Sequence, residues 1–229
     1  MPKNHLKAQN APRTWAIKRK NITFVTKPNS GAHRTELSMP LNLVLKNLLR
    51  KATTNKEAKK ILHNQEILVN GRRRKDYKFS IGLLDILSIP KTNEYYLMLI
   101  NTQNKLLFQS IDKKESNQKI CKITGKKIVK KGLTQLKTLD GRIILVKKDT
   151  YKTGDTVLVS LPKQEIKEVL KLEKGATVIL FRGKYTGTIA TVVEVKDAIL
   201  IFKLDSQTLE TRKEYSIVIG KDKPLIKTK

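Results

Sequence analysis

Apolar positions along this 229-residue chain change their period twice. Leu41, Val44, Leu45, Leu48 and Leu49 recur at i, i+3, i+4, i+7 and i+8, the single stripe of an amphipathic helix. Lys46, Asn47, Arg50 and Lys51 take the opposite side. Thr54-Asn55-Lys56-Glu57 is a capping box, in which hydroxyl and carboxylate each satisfy a free amide at a helix start. The helix it opens turns Ala58, Ile61 and Leu62 inward and Lys56, Lys59 and Lys60 outward. Glu66 to Val69 then reads as a strand, closed by Asn70-Gly71, the strongest short hairpin signal. Its tip runs directly into Arg72-Arg73-Arg74-Lys75.

Beyond that hairpin the pattern is one of short strands separated by turn residues. The turns are Lys91-Thr92-Asn93, Asn101 to Asn104, Asp140-Gly141 and Lys152 to Asp155. Asp112 to Glu115 opens one brief helical turn. Gln164 to Glu173 fits a helix and a strand about equally. Pro162 and Gly175 leave room only for a short element there, and we assign a strand. Many short strands with little helix predict small barrels. The expected fold class is α+β, mostly β. An extended basic segment covers 1–40, a two-helix α/β module 41–105, a central β domain 106–172 and a small barrel 173–229.

Charge sharpens this picture. The chain has 48 Lys or Arg and 20 Asp or Glu, a net charge of +28. Self-repulsion on that scale disfavours a compact monomer unless a polyanion lies alongside it. An anionic membrane would call for a long apolar span or a basic amphipathic helix with bulky aromatics. Neither is present, and runs such as Ile143 to Val146 and Val178 to Phe181 are strand-sized. Met1 to His5 lacks the apolar core of a signal peptide, and a chain with one cysteine has the cytoplasm as its expected compartment. The single cysteine, Cys121, excludes an intramolecular disulfide and reads as a buried strand residue. Nucleic acid is left as the partner.

Residues 1–40 show no sustained periodicity. They hold Pro2, Pro12, Pro28, Pro40 and Gly31, with eight Lys or Arg against the single acid Glu36. Such a segment cannot bury enough apolar surface to fold alone, and stretched out it reaches on the order of 100 Å. Trp15, with Leu6, Ile17, Phe24 and Val25, suggests that parts of it dock. The expectation is an extension unordered until it meets RNA.

Catalysis finds little support. His5, His33 and His63 are scattered without ligand spacing. No dinucleotide or phosphate-cradling glycine loop occurs. The acids lie mostly beside bases, and no carboxylate pair is proposed by the pattern. No metal, cofactor or small-molecule substrate is expected.

Several motifs resemble known families. Leu41 to Leu49, Glu57 to Leu62, Ile67-Leu68-Val69-Asn70-Gly71 and Leu83 to Ile89 resemble the small RNA-binding module shared by ribosomal protein four, pseudouridine synthases and tyrosyl-tRNA synthetases. Leu172 to Val193, with Gly175, Val178, Gly183, Gly187, Ile189 and Val192, resembles the KOW barrel of ribosomal proteins and NusG-type factors. Ala190 stands where that family often carries glycine. The order of the pieces is more specific than any piece. With His5-Leu6-Lys7, Ala11-Pro12, Trp15, Gly31-Ala32-His33, Pro40-Leu41, Cys121-Lys122, Thr138 to Arg142, Thr153 to Thr156 and Val218 to Lys221, the chain resembles small-subunit ribosomal protein four of the archaeal/eukaryotic "e" type. It departs at Leu139, where that family usually shows histidine. Its end at Lys229, without a longer basic tail, looks more archaeal than animal or plant, a reduced eukaryote being the alternative.

The resemblance implies a non-enzymatic role in assembling and stabilising small-subunit rRNA beside neighbouring ribosomal proteins. His5, Lys7, Arg13, Trp15, His33 and Arg34 would thread along RNA, Trp15 by stacking. Lys46, Arg50, Lys51, Lys56, Lys59 and Lys60 would face phosphates from the two helices. Asn70, Gly71, Arg72, Arg73 and Arg74 would do so from the hairpin, with Arg182, Gly183, Lys184 and Lys221 acting from the barrel. The rival readings are a pseudouridine synthase using Asp140 beside Arg142, and a NusG-type transcription factor. The first lacks chain for a catalytic domain, and the second usually carries a quite different N-terminal domain.

Overall fold

The computed structural model describes residues 4–64, 66–129, 132–147, 149–204 and 207–221. The first three residues and the end at Lys229 lie outside the described residues. The chain divides into two compact units, residues 1–100 with 104–116 and residues 101–103 with 117–229.

The first unit begins with a two-stranded ribbon, β1 (Leu6–Lys7) and β2 (Phe24–Val25), paired Leu6 to Val25 and Lys7 to Phe24. β3 (Ser38–Pro40) pairs with β6 (Ser80–Gly82). A five-stranded antiparallel sheet follows the order β5 (Arg72–Arg73), β4 (Leu68–Val69), β7 (Ile86–Ile89), β8 (Glu94–Ile100), β9 (Leu106–Ser110). Two helices were expected here, and one has an irregular form. A short α1 (Leu41–Leu43) runs into a π-helical turn at Val44–Leu48. Leu49 N–H donates to the Val44 carbonyl at 3.0 Å, and the turn closes at Arg50 with φ +52°. Of the predicted stripe, Leu41, Val44 and Leu45 are buried and Leu48 and Leu49 half-buried, while Leu43, outside the stripe, is buried as well. Their shared burial fixes this face although the hydrogen-bond ladder widens by one residue.

α2 (Asn55–Asn64) starts where the capping box places it. Glu57 N–H donates to Thr54 Oγ1 at 3.2 Å, while Glu57 Oε2 accepts from the Thr53 and Thr54 amides at 2.8 and 3.4 Å. Ala58 and Leu62 are buried and Ile61 is half-buried. The Asn70-Gly71 loop has φ of +52° and +75°, the doubly left-handed turn that joins β4 to β5 across two residues.

The extension departs from the expectation of an unordered thread. Trp15 is 0% exposed, and Ala8 and Ala11 are buried with it. Its indole Nε1–H donates to the Ser38 carbonyl at 2.6 Å and, more weakly, to that of Thr35 at 3.3 Å. Thr14 Oγ1 donates to the Glu36 carbonyl at 2.6 Å, and Leu106 N–H donates to the Thr14 carbonyl at 2.8 Å. These bonds tie the extension to the segment leading into β3 and to β9.

The second unit holds two five-stranded antiparallel sheets. One has the order β12 (Ile143–Val146), β11 (Thr134–Thr138), β10 (Gln118–Ile128), β13 (Thr156–Ser160), β14 (Ile166–Leu170). The Gln164 to Glu173 stretch is therefore a strand, as assigned, and Asp140-Gly141 is the β11–β12 turn with Gly141 at φ +74°. Cys121 is buried in β10. The other sheet has the order β18 (Gln207–Arg212), β17 (Ile199–Leu204), β16 (Ile189–Lys196), β15 (Thr177–Leu180), β19 (Ser216–Gly220), the strand set of the expected small barrel. Its core gathers Val178, Leu180, Ala190, Val192, Leu200, Phe202 and Val218, and Leu170 of β14 joins it. Ala190 thus lies in β16 and fills barrel core opposite Val178.

Two lysines of β10, one on each face of the strand, are buried. Lys119 is 1% exposed and pairs with Asp140 at 2.7 Å. Lys122 donates to the carbonyls of Lys213, Glu214 and Ser216 at 3.1, 2.8 and 2.6 Å. Burial pushes its ammonium down to about 8, so at neutral pH it keeps the three protons those carbonyls accept.

Candidate nucleic-acid interface

The cationic residues of the first unit sort by what their side chains touch. Lys56, Lys59 and Lys60 are exposed along α2, because the opposite side of that helix holds Ala58 and Leu62 in the core. Lys59 Nζ lies 4.4 Å from the centre of the Tyr77 ring, and Lys78 Nζ lies 5.8 Å from it. Two ammonium groups thus lie within reach of one aromatic ring. Arg73 Nη2 donates to the His63 carbonyl at 3.2 Å, so the hairpin meets the last turn of α2. Lys91 Nζ reaches the adjacent Asn64 carbonyl at 3.2 Å. These bonds join α2, the β4–β5 hairpin and the segment carrying Tyr77 into one basic surface, on which Gly71, Arg72 and Lys75 are also exposed. Tyr77, Lys78 and Lys91 escape a reading along the chain, since only the fold brings them to α2.

Other expected RNA-facing residues are committed inside the protein. Trp15 is buried and cannot stack on a base; its indole anchors the extension. His33 Nε2 lies 2.9 Å from Asp85 Oδ2, and a Cβ at Gly82 would fall 2.1 Å from the His33 ring. That ring is wedged against backbone and is not presented to a phosphate. Asn70 Nδ2 donates to Asp85 Oδ1 at 2.8 Å and its Oδ1 accepts from the Ile86 amide at 3.0 Å, so it braces the hairpin. The Arg74 guanidinium lies 4.4 Å from the Phe79 ring centre. Lys51 pairs with Glu94, whose carboxyl is held below its usual value chiefly by that bond, and Lys46 Nζ donates to Asn55 Oδ1 at 3.1 Å. Arg50 is exposed at the turn after the π-helical segment. Among the extension residues, His5, Lys7, Arg13 and Arg34 are all exposed.

In the second unit the β15–β16 loop carries Arg182, Gly183 and Lys184. Gly183 and Gly187 have φ of +87° and +80°, the left-handed backbone expected of them. Thr186 Oγ1 donates to the Gly183 carbonyl at 2.7 Å, and Tyr185 packs edge-on against Phe202 at 5.5 Å, fixing the loop to the barrel. Gly183 and Lys184 are exposed, Arg182 is half-buried, and Lys221 is exposed just after β19.

Asp140 has a structural environment. It is buried, with Lys119 Nζ at 2.7 Å, Arg142 Nε at 2.8 Å and a hydrogen bond from Thr138 Oγ1. Burial works to raise its carboxyl, but Lys119, Thr138 and Arg142 outweigh it and hold it below the usual carboxylate range. Neutralised on two sides, it ties the β11–β12 turn to β10.

Comparison with known proteins agrees with this arrangement. Residues 92–166 match the model of ribosomal family S4e, and residues 1–36 match that of the RS4NT (NUC023) domain. Small ribosomal subunit protein eS4 of Methanococcus vannielii is 38% identical over 239 residues, covering 98% of this chain and 97% of the relative. The protein of the same description from Methanocaldococcus jannaschii is 37% identical, covering 99% and 98%. The crystal structure of the 30S ribosomal protein S4e from Thermoplasma acidophilum superposes with a TM-score of 0.71 at 26% identity, covering 80% of this chain and 95% of that one. With sequence relatives matched from end to end and the same strand-rich fold, the chain belongs to the S4e family of ribosomal proteins.

Proposed function

We propose that this chain is a structural constituent of the small ribosomal subunit, a non-enzymatic protein that holds small-subunit rRNA through several basic surfaces and lies among neighbouring ribosomal proteins in the cytoplasm. The observation that carries the reading is the basic surface of α2, the hairpin and Tyr77. Its lysines serve as point charges for phosphates and its exposed arginines as planar donors. Lys7, Arg13 and Arg34 of the extension, and Gly183, Lys184 and Lys221 of the second unit, offer further phosphate-binding positions. Linked on one chain, individually weak sites raise one another's effective concentration.

Titrating the purified chain against a small-subunit rRNA fragment tests this. Neutralising even six phosphates lowers affinity about 10³-fold between about 50 and 200 mM salt. Replacing Lys56, Lys59 and Lys60 together by alanine lowers the logarithmic salt slope by about one unit for each phosphate that is no longer neutralised. A flat titration overturns the reading, as does a chain that stays in the light fractions when a native lysate is sedimented.

A further inference from the structure

Burial of Trp15 moves the question of base stacking elsewhere in the extension. In the β1–β2 ribbon, Lys7 lies directly opposite Phe24, so their side chains share one face. His5, two residues before Lys7, packs its ring edge-on against Phe24, with centres 5.2 Å apart and planes at 81°. The neighbouring positions Leu6 and Val25 are half-buried, while Phe24 is 53% exposed and Ile22 also faces solvent. An aromatic ring left in water on a chain of +28 suits a partner offering both negative charge and a flat apolar face.

Beside this face opens a cleft of about 320 Å³, lined in part by Lys7, Arg19, Lys20 and Ile22. That is within the size range of sites for small ligands. Its wall is prearranged: the Arg19 guanidinium donates to the carbonyls of Ala8, Ala11 and Pro12 at 3.3, 2.7 and 2.6 Å. Lys7 and Lys20 remain exposed at its rim.

We propose that the Phe24–His5 face and the adjoining cleft bind one unpaired nucleotide of RNA. The base stacks on Phe24, which His5 braces, and the flanking phosphate meets Lys7 and Lys20. This rests on the RNA-holding function above and names a site within it. Duplex RNA keeps its base faces covered, so the site selects single strands.

The test uses the full chain, an oligoadenylate of about eight nucleotides and a duplex RNA of equal length. Phe24→Ala weakens single-strand binding about 5- to 150-fold, the span that loss of one stacked base implies. It leaves duplex binding and the salt slope unchanged, and Phe24→Trp restores single-strand affinity. Trp15 fluorescence verifies that Phe24→Ala keeps its packed extension. Equal loss on both RNAs, or no loss on either, overturns the site while leaving the general function standing. Binding by the wild-type chain that is absent or flat in salt defeats the general function instead. Photo-crosslinking in assembled particles should join Phe24 to RNA; a crosslink to protein in its place overturns the site.

Discussion

Replacing Trp15 separates two roles, stacker and anchor, because they predict opposite readouts. A buried tryptophan removes about 150–250 Å² from water. At about 25 cal/mol per Å² that corresponds to about 4–6 kcal/mol, an upper bound because the unfolded chain is partly compact. Measured Trp→Ala changes of about 3–5 kcal/mol lie in the same range. Trp15→Phe keeps most of that area but leaves the Ser38 carbonyl, now bonded at 2.6 Å, without its donor. An unsatisfied buried group costs about 1–3 kcal/mol, so phenylalanine is the milder change. Because the chain contains two compact units, whole-chain unfolding is not a two-state event. Amide exchange across residues 4–40 of the free protein reads the effect locally. A loss of about 3 kcal/mol raises the opening equilibrium about 150-fold. Trp15→Ala is expected to expose amides of the extension to that degree, Trp15→Phe less, and the barrel not at all. Unchanged protection together with weakened RNA binding would show that Trp15 meets RNA and does not anchor the extension.

The depressed Asp140 carboxyl contributes stability that is fully present above its unfolded value near 3.8 and is lost as pH falls through the lower folded value. Acid unfolding of the second unit should therefore begin below about pH 4, and Asp140→Asn should flatten that limb; an unchanged acid profile counts against the cluster. Lys122→Met strands three carbonyls that share one donor group, and about 2–4 kcal/mol of destabilisation in urea is expected. A neutral effect would mean that water replaces the ammonium. Thr54→Ala removes the hydroxyl cap of α2 and should lower local protection of that helix by about 1 kcal/mol, seen as faster exchange at Glu57 and Ala58.

Local rules were legible in the sequence wherever one segment decides its own conformation. The Thr54–Glu57 box set the start of α2, Asn70-Gly71 set a two-residue hairpin, and turn residues at Asn93, Asn104 and Gly154 take the positive φ their types allow. The misreadings involve partners far apart along the chain. His33 was expected to lie along RNA, and its partner Asp85 is fifty-two positions away. Asn70 looked like a tip residue because the amide it accepts from belongs to Ile86. In β10, Lys119 shares a face with the core residues Cys121 and Ile123 and Lys122 lies on the opposite face, yet Asp140 and three carbonyls hold both in the interior. Periodicity records the usual environment of a residue type. It carries no information about a buried partner brought by another strand.

That same inward placement bears on how the charge works. Asp85, Asp140 and Asp155 are all buried, and each is engaged in internal bonds: Asp85 with His33 and Asn70, Asp140 with Lys119 and Arg142, Asp155 with the amides of Lys152 and Leu172. Glu57 caps α2 and Glu94 holds Lys51. A chain with few acids has put several of them where they order backbone and quench buried cations. Lysines on α2, in the extension and on the barrel loop therefore meet solvent with little nearby acid to screen them. Short-range ion pairs fix the fold while the uncompensated excess stays at long range, where its interaction with a polyanion is strongest at low ionic strength. Moving one buried aspartate to the surface would thus weaken both folding and attraction for RNA. Salt should screen the second loss far more than the first, because a buried pair is shielded from ions.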